Sequence, residues 1–292
     1  MKIILTGADG QLGYEVKKQV KNYDYELISF SKIDLDITNI GTIRKCVDNH
    51  RPDIIINSAA YTNVDKAETD IFRAEAVNCL GPKNLATICK ENSIILIHIS
   101  TDYVFSGQKK DPYIESDETK PINNYGITKL KGEKEIISIL DNHIILRTSW
   151  IFGIHGNNFV KTILRLIKEK DSLDIVSDQF GCPTSARSIA IAILDICAKC
   201  VNDKKFLFGI YHYCSSPITS WYSFSLEIMN LAFKKGLIKK KININPITSK
   251  KYNSISKKPL NSSINSKKIN TNLGIVTTSW LDELKYTLKA LK

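Results

Sequence analysis

The most constraining feature of this chain is a run of glycines near its start, Gly7-Ala8-Asp9-Gly10-Gln11-Leu12-Gly13. The run lies between an apolar pentad, Lys2–Thr6, and a segment with helical spacing at Leu12, Val16 and Val20. A strand that enters a glycine turn and passes straight into a helix opens a βαβ unit. Glycines there allow a tight turn and close backbone approach to a pyrophosphate, and the helix N-terminus adds N–H donors and a positive dipole end. The spacing therefore predicts a dinucleotide-binding loop at Gly7, Gly10, Gln11, Leu12 and Gly13.

The following 140 residues repeat the alternation. Strands are expected at Tyr25–Phe30, Asp53–Asn57, Ile94–Ser100 and His143–Thr148. Helices are expected at Ile40–His50, Thr69–Asn92 and Asn124–Leu140, the second kinked or broken at Gly81-Pro82. Continuous apolar strands separated by amphipathic helices indicate a parallel sheet covered on both faces. Right-handed crossovers then make it doubly wound. The fold class is α/β: a doubly wound, parallel-sheet Rossmann domain with a smaller C-terminal α/β substrate lobe. We divide the chain into 1–150 as the dinucleotide-binding domain, with 185–207 returning to it, and 151–184 plus 208–292 as the substrate lobe. A helix is expected at Trp221–Lys235 with Ser220 as its cap, and 239–272, rich in Lys, Asn and Ser, reads as loop.

Ligands of such sheets lie beyond the carboxyl ends of the strands. Asn57-Ser58-Ala59-Ala60 ends one strand, with Ala59 and Ala60 small enough for backbone contact with a cofactor. Thr101 offers a hydroxyl where the fourth strand ends. The second strand ends in Phe30-Ser31-Lys32, with no acid to bond an adenosine 2′-hydroxyl; Lys32 could meet a 2′-phosphate, and Asp36-Ile37 could flank the adenine. Tyr125 and Lys129 are one helical turn apart. A lysine there is expected to lower the tyrosine pKa and make it a usable proton donor. His98 reads as a buried core histidine, His155 as a residue that could approach substrate, and Cys197-x-x-Cys200 lacks the second pair a zinc site needs.

Composition narrows the function classes. Seven cysteines at scattered spacing fit reduced thiols, and no apolar run approaches a membrane span. Strand-like sequence begins within two residues of Met1, so no signal peptide is expected, and the location expected is cytoplasmic. The net charge of +11 comes from residues 201–292, which hold 16 of the 41 Lys/Arg and only 4 of the 30 Asp/Glu. The lysine runs there lack the interleaved aromatics of a single-strand groove, so neither nucleic acid nor membrane is expected as a partner.

Several motifs belong together. Thr6-Gly7-x-x-Gly10-Gln11-Leu12-Gly13, Asn57-Ser58-Ala59-Ala60-Tyr61-Thr62-x-Val64-Asp65-x-Ala67-Glu68, Ser100-Thr101-Asp102-Tyr103-Val104-Phe105-x-Gly107, Tyr125-x-x-x-Lys129 and Arg147-Thr148-Ser149-Trp150 resemble the extended short-chain dehydrogenases. Among them they are most similar to the dTDP-4-dehydrorhamnose reductase family. The resemblance continues through Asn157-Asn158-Phe159 and Asp178-Gln179-x-Gly181-x-Pro183-Thr184 to the Trp280 helix.

The resemblance implies reduction of the 4-keto group of a dTDP-6-deoxy-hexulose by NADPH or NADH, for polysaccharide synthesis. By it Tyr125 protonates the developing alkoxide, Lys129 supports it and holds the ribose, and Thr101 bonds the reacting oxygen. Gly10, Gln11, Leu12, Asp36, Ile37, Ala60, Tyr61 and Thr62 line the cofactor. Tyr103 and Trp150 contact the sugar, Asp102 stands on the substrate side, and Asn158 approaches the dTDP moiety. Alternatives on the same fold are a sugar-nucleotide dehydratase or epimerase, and a non-catalytic subunit resembling the regulatory subunit of methionine adenosyltransferase. Some family members form a magnesium-linked dimer through glutamates; Glu15 matches one, but Arg187 stands where another acid is expected. A guanidinium does not ligate a hard cation. No metal-binding residue is therefore assigned, a Mg²⁺ bridge is disfavoured, and a monomer or another homodimer is expected.

Overall fold

The computed structural model describes residues 1–202 and 206–291. The first half runs β1 (Lys2–Thr6), α1 (Gln11–Gln19), β2 (Glu26–Phe30), α2 (Ile40–His50), β3 (Ile54–Asn57), α3 (Ile71–Glu75), α4 (Gly81–Asn92), β4 (Ile95–Thr101), α5 (Asn124–Ile139) and β5 (His143–Thr148). The second half runs β6 (Ile151–Phe152), α6 (Phe159–Glu169), β7 (Ser172–Val176), β8 (Phe180–Gly181), β9 (Thr184–Ser185), α7 (Ala186–Asn202), β10 (Gly209–His212), β11 (Thr219–Ser220), α8 (Trp221–Lys234), β12 (Asn243–Ile247), α9 (Ser249–Tyr252), α10 (Lys267–Leu273) and α11 (Trp280–Ala290).

Six strands form one parallel sheet in the order β10-β5-β4-β3-β1-β2. β1, β3, β4 and β5 each carry a run of three apolar residues because both faces are covered. Ile3 and Leu5 of β1 pack with Val16 of α1 and Ile189 and Ile193 of α7, whereas Ile4 between them packs with Ile43 of α2 and Leu85 of α4. α7 lies along α1. Of the stretch 185–207, residues 203–205 fall outside the described ones. The strand order reverses between β1 and β3, which makes that edge the topological switch point where ligands of such sheets bind.

Three local expectations change. Gly81-Pro82 does not break the helix: a π-helical turn over Ala76–Leu80 joins α3 to α4, and Pro82 falls in the first turn of α4, where a missing N–H is tolerated. Gly209–His212 falls in the second lobe by sequence, but β10 pairs in parallel with β5, Tyr211 opposite Leu146, and completes the main sheet. The 239–272 stretch is not all loop: β12 pairs in parallel with β7, Ile244 opposite Leu173. That pair supports a second core in which Phe152, Ile163, Phe224, Ile228, Trp280 and Leu284 meet. Among the described residues no helix is long and apolar enough to cross a membrane.

Candidate active site

The glycine loop leaves β1 at the switch point and turns over the end of β3. Gly7 has φ +69°, and a Cβ there would lie 2.6 Å from the Ala59 nitrogen, so only glycine allows the two strand ends to close up. A Cβ at Gly13 would lie 2.4 Å from the Gly7 carbonyl oxygen, so Gly13 brings α1 down onto the turn. Beyond this seam lies a cleft of about 510 Å³. Gly7, Gly10, Gln11 and Leu12 line it together with Lys32, Asp36 and Ile37 and with Tyr125 and Lys129. Ser58, Ala59, Ala60 and Thr62 run along its side. The Asp36 carboxylate accepts from the Thr38 backbone N–H and hydroxyl, chiefly the former holding it below the usual range, so it stays ionised facing the cleft.

α5 carries Tyr125 and Lys129, and its start is fixed three ways. Asn123 caps it by accepting from the Gly126 N–H at 2.8 Å. The Asn124 N–H donates to Glu68 at 2.9 Å. A Cβ at Gly126 would lie 2.2 Å from the Tyr103 carbonyl oxygen, so glycine lets the first turn press against the end of β4. Lys129 is buried, and its Nζ donates to the Ile99 carbonyl at 2.6 Å and lies 3.2 Å from His98 Nε2. Burial pushes Lys129 down to about 8, against the pull of Glu133.

The expected lowering of Tyr125 is not what the protein arranges. Burial dominates and pushes the phenol up to about 12; the Thr101 hydroxyl works against the rise and Asp102 adds to it. Lys129 is turned toward β4, and the proton stays on the phenol at neutral pH. That is the form a proton donor requires. Thr101 donates to Asp102 Oδ1 at 3.0 Å and accepts from the Tyr103 N–H at 3.1 Å, which fixes its hydroxyl. Asp102 also accepts from Ser149 at 2.9 Å, and burial raises it to about 6.

A second cavity of about 590 Å³ is lined by Tyr103, Asp65, Gln179, Trp221, Tyr252 and Lys258 among others. Thr62 lines both cavities. Tyr103 and Tyr125 meet edge to face, centroids 6.0 Å apart, one ring in each cavity. A cleft that carries the glycine loop and the protonated phenol thus adjoins a second polar and aromatic cavity at Thr62 and across the Tyr103–Tyr125 contact. Such an arrangement suits proton delivery to a molecule in the second cavity as a hydride arrives from the first.

The RmlD substrate binding domain model matches residues 1–292. A dTDP-4-dehydrorhamnose reductase of Aggregatibacter actinomycetemcomitans is 39% identical over 285 residues, covering 97% of both chains. A solved dTDP-4-dehydrorhamnose reductase from Clostridium acetobutylicum ATCC 824 superposes with a TM-score of 0.93 at 37% identity, covering 100% of this chain and 99% of that one. Another, from Bacillus anthracis str. Ames in complex with NADP, gives 0.91 at 34% identity, covering 99% and 98%. The chain belongs to the RmlD substrate binding domain family.

Within this RmlD-family chain not every residue read from the sequence reaches a cavity. Trp150, at φ +45°, packs flat on Trp221 with centroids 3.4 Å apart, and Gly181 makes room for its indole; Trp221 lines the second cavity. Tyr61 sends its hydroxyl to Asp70 at 3.3 Å, and Asn78 accepts from its backbone N–H and donates to its carbonyl. Neither Thr101 nor Asp102 lines either cavity, and Asp102 accepts from the Thr101 hydroxyl at 3.0 Å. Asn158 caps α6 and donates to Gln11 at 3.0 Å and to the Gly153 carbonyl at 2.8 Å, tying the glycine loop to the second lobe. His155 stacks on Tyr14, centroids 4.4 Å apart. Residue-by-residue reading missed Trp221, whose place depends on α8, and Asn78, which sits in the π turn. Arg187 pairs with Glu283 at 2.8 Å and covers the Tyr286 ring, while Glu15 is buried and accepts from Gln19. Among the described residues no group of three or more His, Cys, Asp or Glu is placed to hold a metal ion.

Proposed function

We propose that this chain reduces the 4-keto group of dTDP-4-dehydro-L-rhamnose to give dTDP-L-rhamnose, using NADPH or NADH, for cell-surface polysaccharide synthesis in the cytoplasm. The observation that carries the reading is the contact of Tyr125, which lines the first cavity, with Tyr103, which lines the second, beside Thr62, which lines both. The relatives named above match 97–100% of the chain, and one solved relative holds NADP.

The residues fit a nicotinamide dinucleotide. Gly7, where a Cβ would strike the Ser58–Ala59 backbone, closes the loop onto β3, and Gly10, Gln11 and Leu12 at the start of α1 line the cleft. Gly10, Gln11 and Leu12 would hold the pyrophosphate, with Gly13 seating α1 behind them, Lys32, Asp36 and Ile37 the adenosine end, and Ala59, Ala60 and Thr62 the middle of the cleft. The cofactor supplies hydride when bound. Lys129 donates to the ribose, Tyr125 gives its proton to the carbonyl oxygen, and Thr101, held by Asp102, orients that oxygen. Tyr103 and Trp221, with Trp150 stacked behind, pack against the sugar, and Asp65, Gln179 and Lys258 receive the polar groups of the dTDP-sugar. One chain supplies both cavities, so either a monomer or a homodimer serves.

The test is loss of reduced-nicotinamide absorbance with dTDP-4-dehydro-L-rhamnose, with the product identified by NMR. Protein that binds NADPH yet turns over no 4-keto sugar nucleotide would refute the reading.

A further inference from the structure

Hydrogen-bond directions beneath the Tyr125–Lys129 turn define a protonation state. The Asn57 carboxamide is oriented by two donors: its Oδ1 accepts from Thr6 Oγ1 at 2.7 Å and from the Ala59 backbone N–H at 3.2 Å. A backbone N–H can only donate, so Nδ2 is the atom that faces His98 Nδ1, at 2.9 Å. Nδ1 is then the acceptor, and a neutral imidazole that accepts at Nδ1 carries its proton on Nε2. Nε2 lies 3.2 Å from Lys129 Nζ. An ammonium has three donors and no lone pair, so it cannot pair with that N–H. The free amine completes the array, accepting from Nε2–H and donating to the Ile99 carbonyl at 2.6 Å.

Thr6, Asn57 and His98 are fully buried, so no water relieves a donor facing a donor. The groups around Lys129 are few. β4 contributes His98 and the Ile99 carbonyl, β3 contributes Asn57, and α5 itself contributes Tyr125 and Glu133. Glu133 draws a proton toward Lys129, but its own carboxylate is taken by Arg147 of β5 at 2.7 and 2.9 Å and by Ser100. The row also ends in buried Thr6, so it clamps the lysine and gives no route for protons to solvent.

We infer that His98 is a positioning residue that favours the free amine of Lys129 in the cofactor-free protein, so that above the Lys129 midpoint engagement of Lys129 by ribose hydroxyls is accompanied by proton uptake at Nζ. The functional half of this inference rests on the reading of the cleft given above; the amine itself rests on the hydrogen-bond row alone.

Two measurements on cofactor-free protein test it. In wild type above the Lys129 midpoint, long-range proton–nitrogen correlation of His98 is expected to show the proton on Nε2; a proton on Nδ1 there overturns the inference without any variant. In protein carrying carbon-13 at lysine Cε, Lys129 is expected to titrate near 8. In His98→Gln, whose amide can turn an oxygen toward Nζ, the midpoint should rise by about one unit or more, a tenfold change in proton affinity. An unchanged midpoint in a folded His98→Gln protein, or a wild-type Lys129 at the ordinary lysine value, overturns it. Calorimetry of NADPH binding in buffers of different ionisation enthalpy should show proton uptake above the Lys129 midpoint and none in His98→Gln near that pH; equal uptake in both overturns the functional half. If no sugar nucleotide is reduced, the proposed reaction falls while the His98 and Lys129 titrations stand. If turnover is normal and Lys129 titrates unshifted, this inference falls alone.

Discussion

Removing the carboxylate of Glu133 should be among the most damaging single changes to this protein. Arg147 and Glu133 form a two-pronged ion pair, Nε to Oε1 at 2.9 Å and Nη2 to Oε2 at 2.7 Å, with side chains 2% and 1% exposed. The pair joins β5 to the helix that carries Tyr125 and Lys129, and Ser100 of β4 donates to the same carboxylate. In Glu133→Gln or Arg147→Met one buried charge loses its partner, which costs about 3–5 kcal/mol. Coulomb's law gives the same scale: two charges about 4 Å apart at an effective dielectric of 20 attract by about 4 kcal/mol. At an m value of about 3 kcal/mol/M, the urea midpoint of either single variant should fall by roughly 1–1.7 M. The double variant leaves no charge unpaired. The new carboxamide at position 133 would keep the Ser100 hydrogen bond, and the new thioether at position 147 would still pack on Phe105, whose ring lies 5.2 Å from the Arg147 guanidinium. The double variant should therefore be more stable than either single. Single-variant losses below about 1 kcal/mol, or a double-variant loss equal to the sum of the singles, would refute a tightly coupled buried pair.

Tyr125→Phe should lower kcat by roughly 10² or more with cofactor affinity nearly intact, because it removes a proton donor and no cleft contact of comparable size; near-normal turnover would remove Tyr125 from that role. Gly7→Ala places a Cβ 2.6 Å from the Ala59 nitrogen at φ +69°, so it should weaken NADPH binding severely, as fluorescence titration would show, while the far-edge strands stay folded. Burial first, and Arg147 second, push His212 down to about 3. A depressed base stabilises the fold above its unfolded pKa of about 6.5, and that contribution, about 4–5 kcal/mol, is lost as pH falls toward 3. Asp102, raised to about 6 by burial, acts in the opposite sense: its contribution is present below its unfolded pKa and lost as pH rises through 6. Urea midpoints measured from neutral to acidic pH should fall steeply in wild type and less in His212→Gln; parallel curves would contradict the assignment.

Reading the sequence located the parts of the site that depend on neighbours along the chain. The glycine loop, the Tyr125–Lys129 turn and the strand ends at Asn57 and Thr101 are set by spacings of three or four residues, and local periodicity carries that information. The strand His143–Thr148 is legible for the same reason, since its centre, Ile144–Leu146, is an unbroken apolar run buried on both faces. What was missed depends on distant partners. β7 and β12 are 71 residues apart in register and polar on one side, so neither stands out until they pair. β10 reads as an isolated strand, and only its register against β5 assigns it to the main sheet. The Gly81-Pro82 pair carries a strong local break signal, overridden by a π turn that packs Asn78 against α5 at Gly132.

The chemistry of the site divides along the same line. Sequence alone determined that a dinucleotide loop, a tyrosine one turn from a lysine and a threonine at a strand end occur together, because residue identity and spacing along the backbone are local properties. Tertiary structure decided their charge states: the phenol keeps its proton, the lysine faces a histidine N–H, and the aspartate works through threonine. A pKa is set by burial and by groups brought close from other elements, and those distances exist only once the sheet and its helices have closed around the cleft.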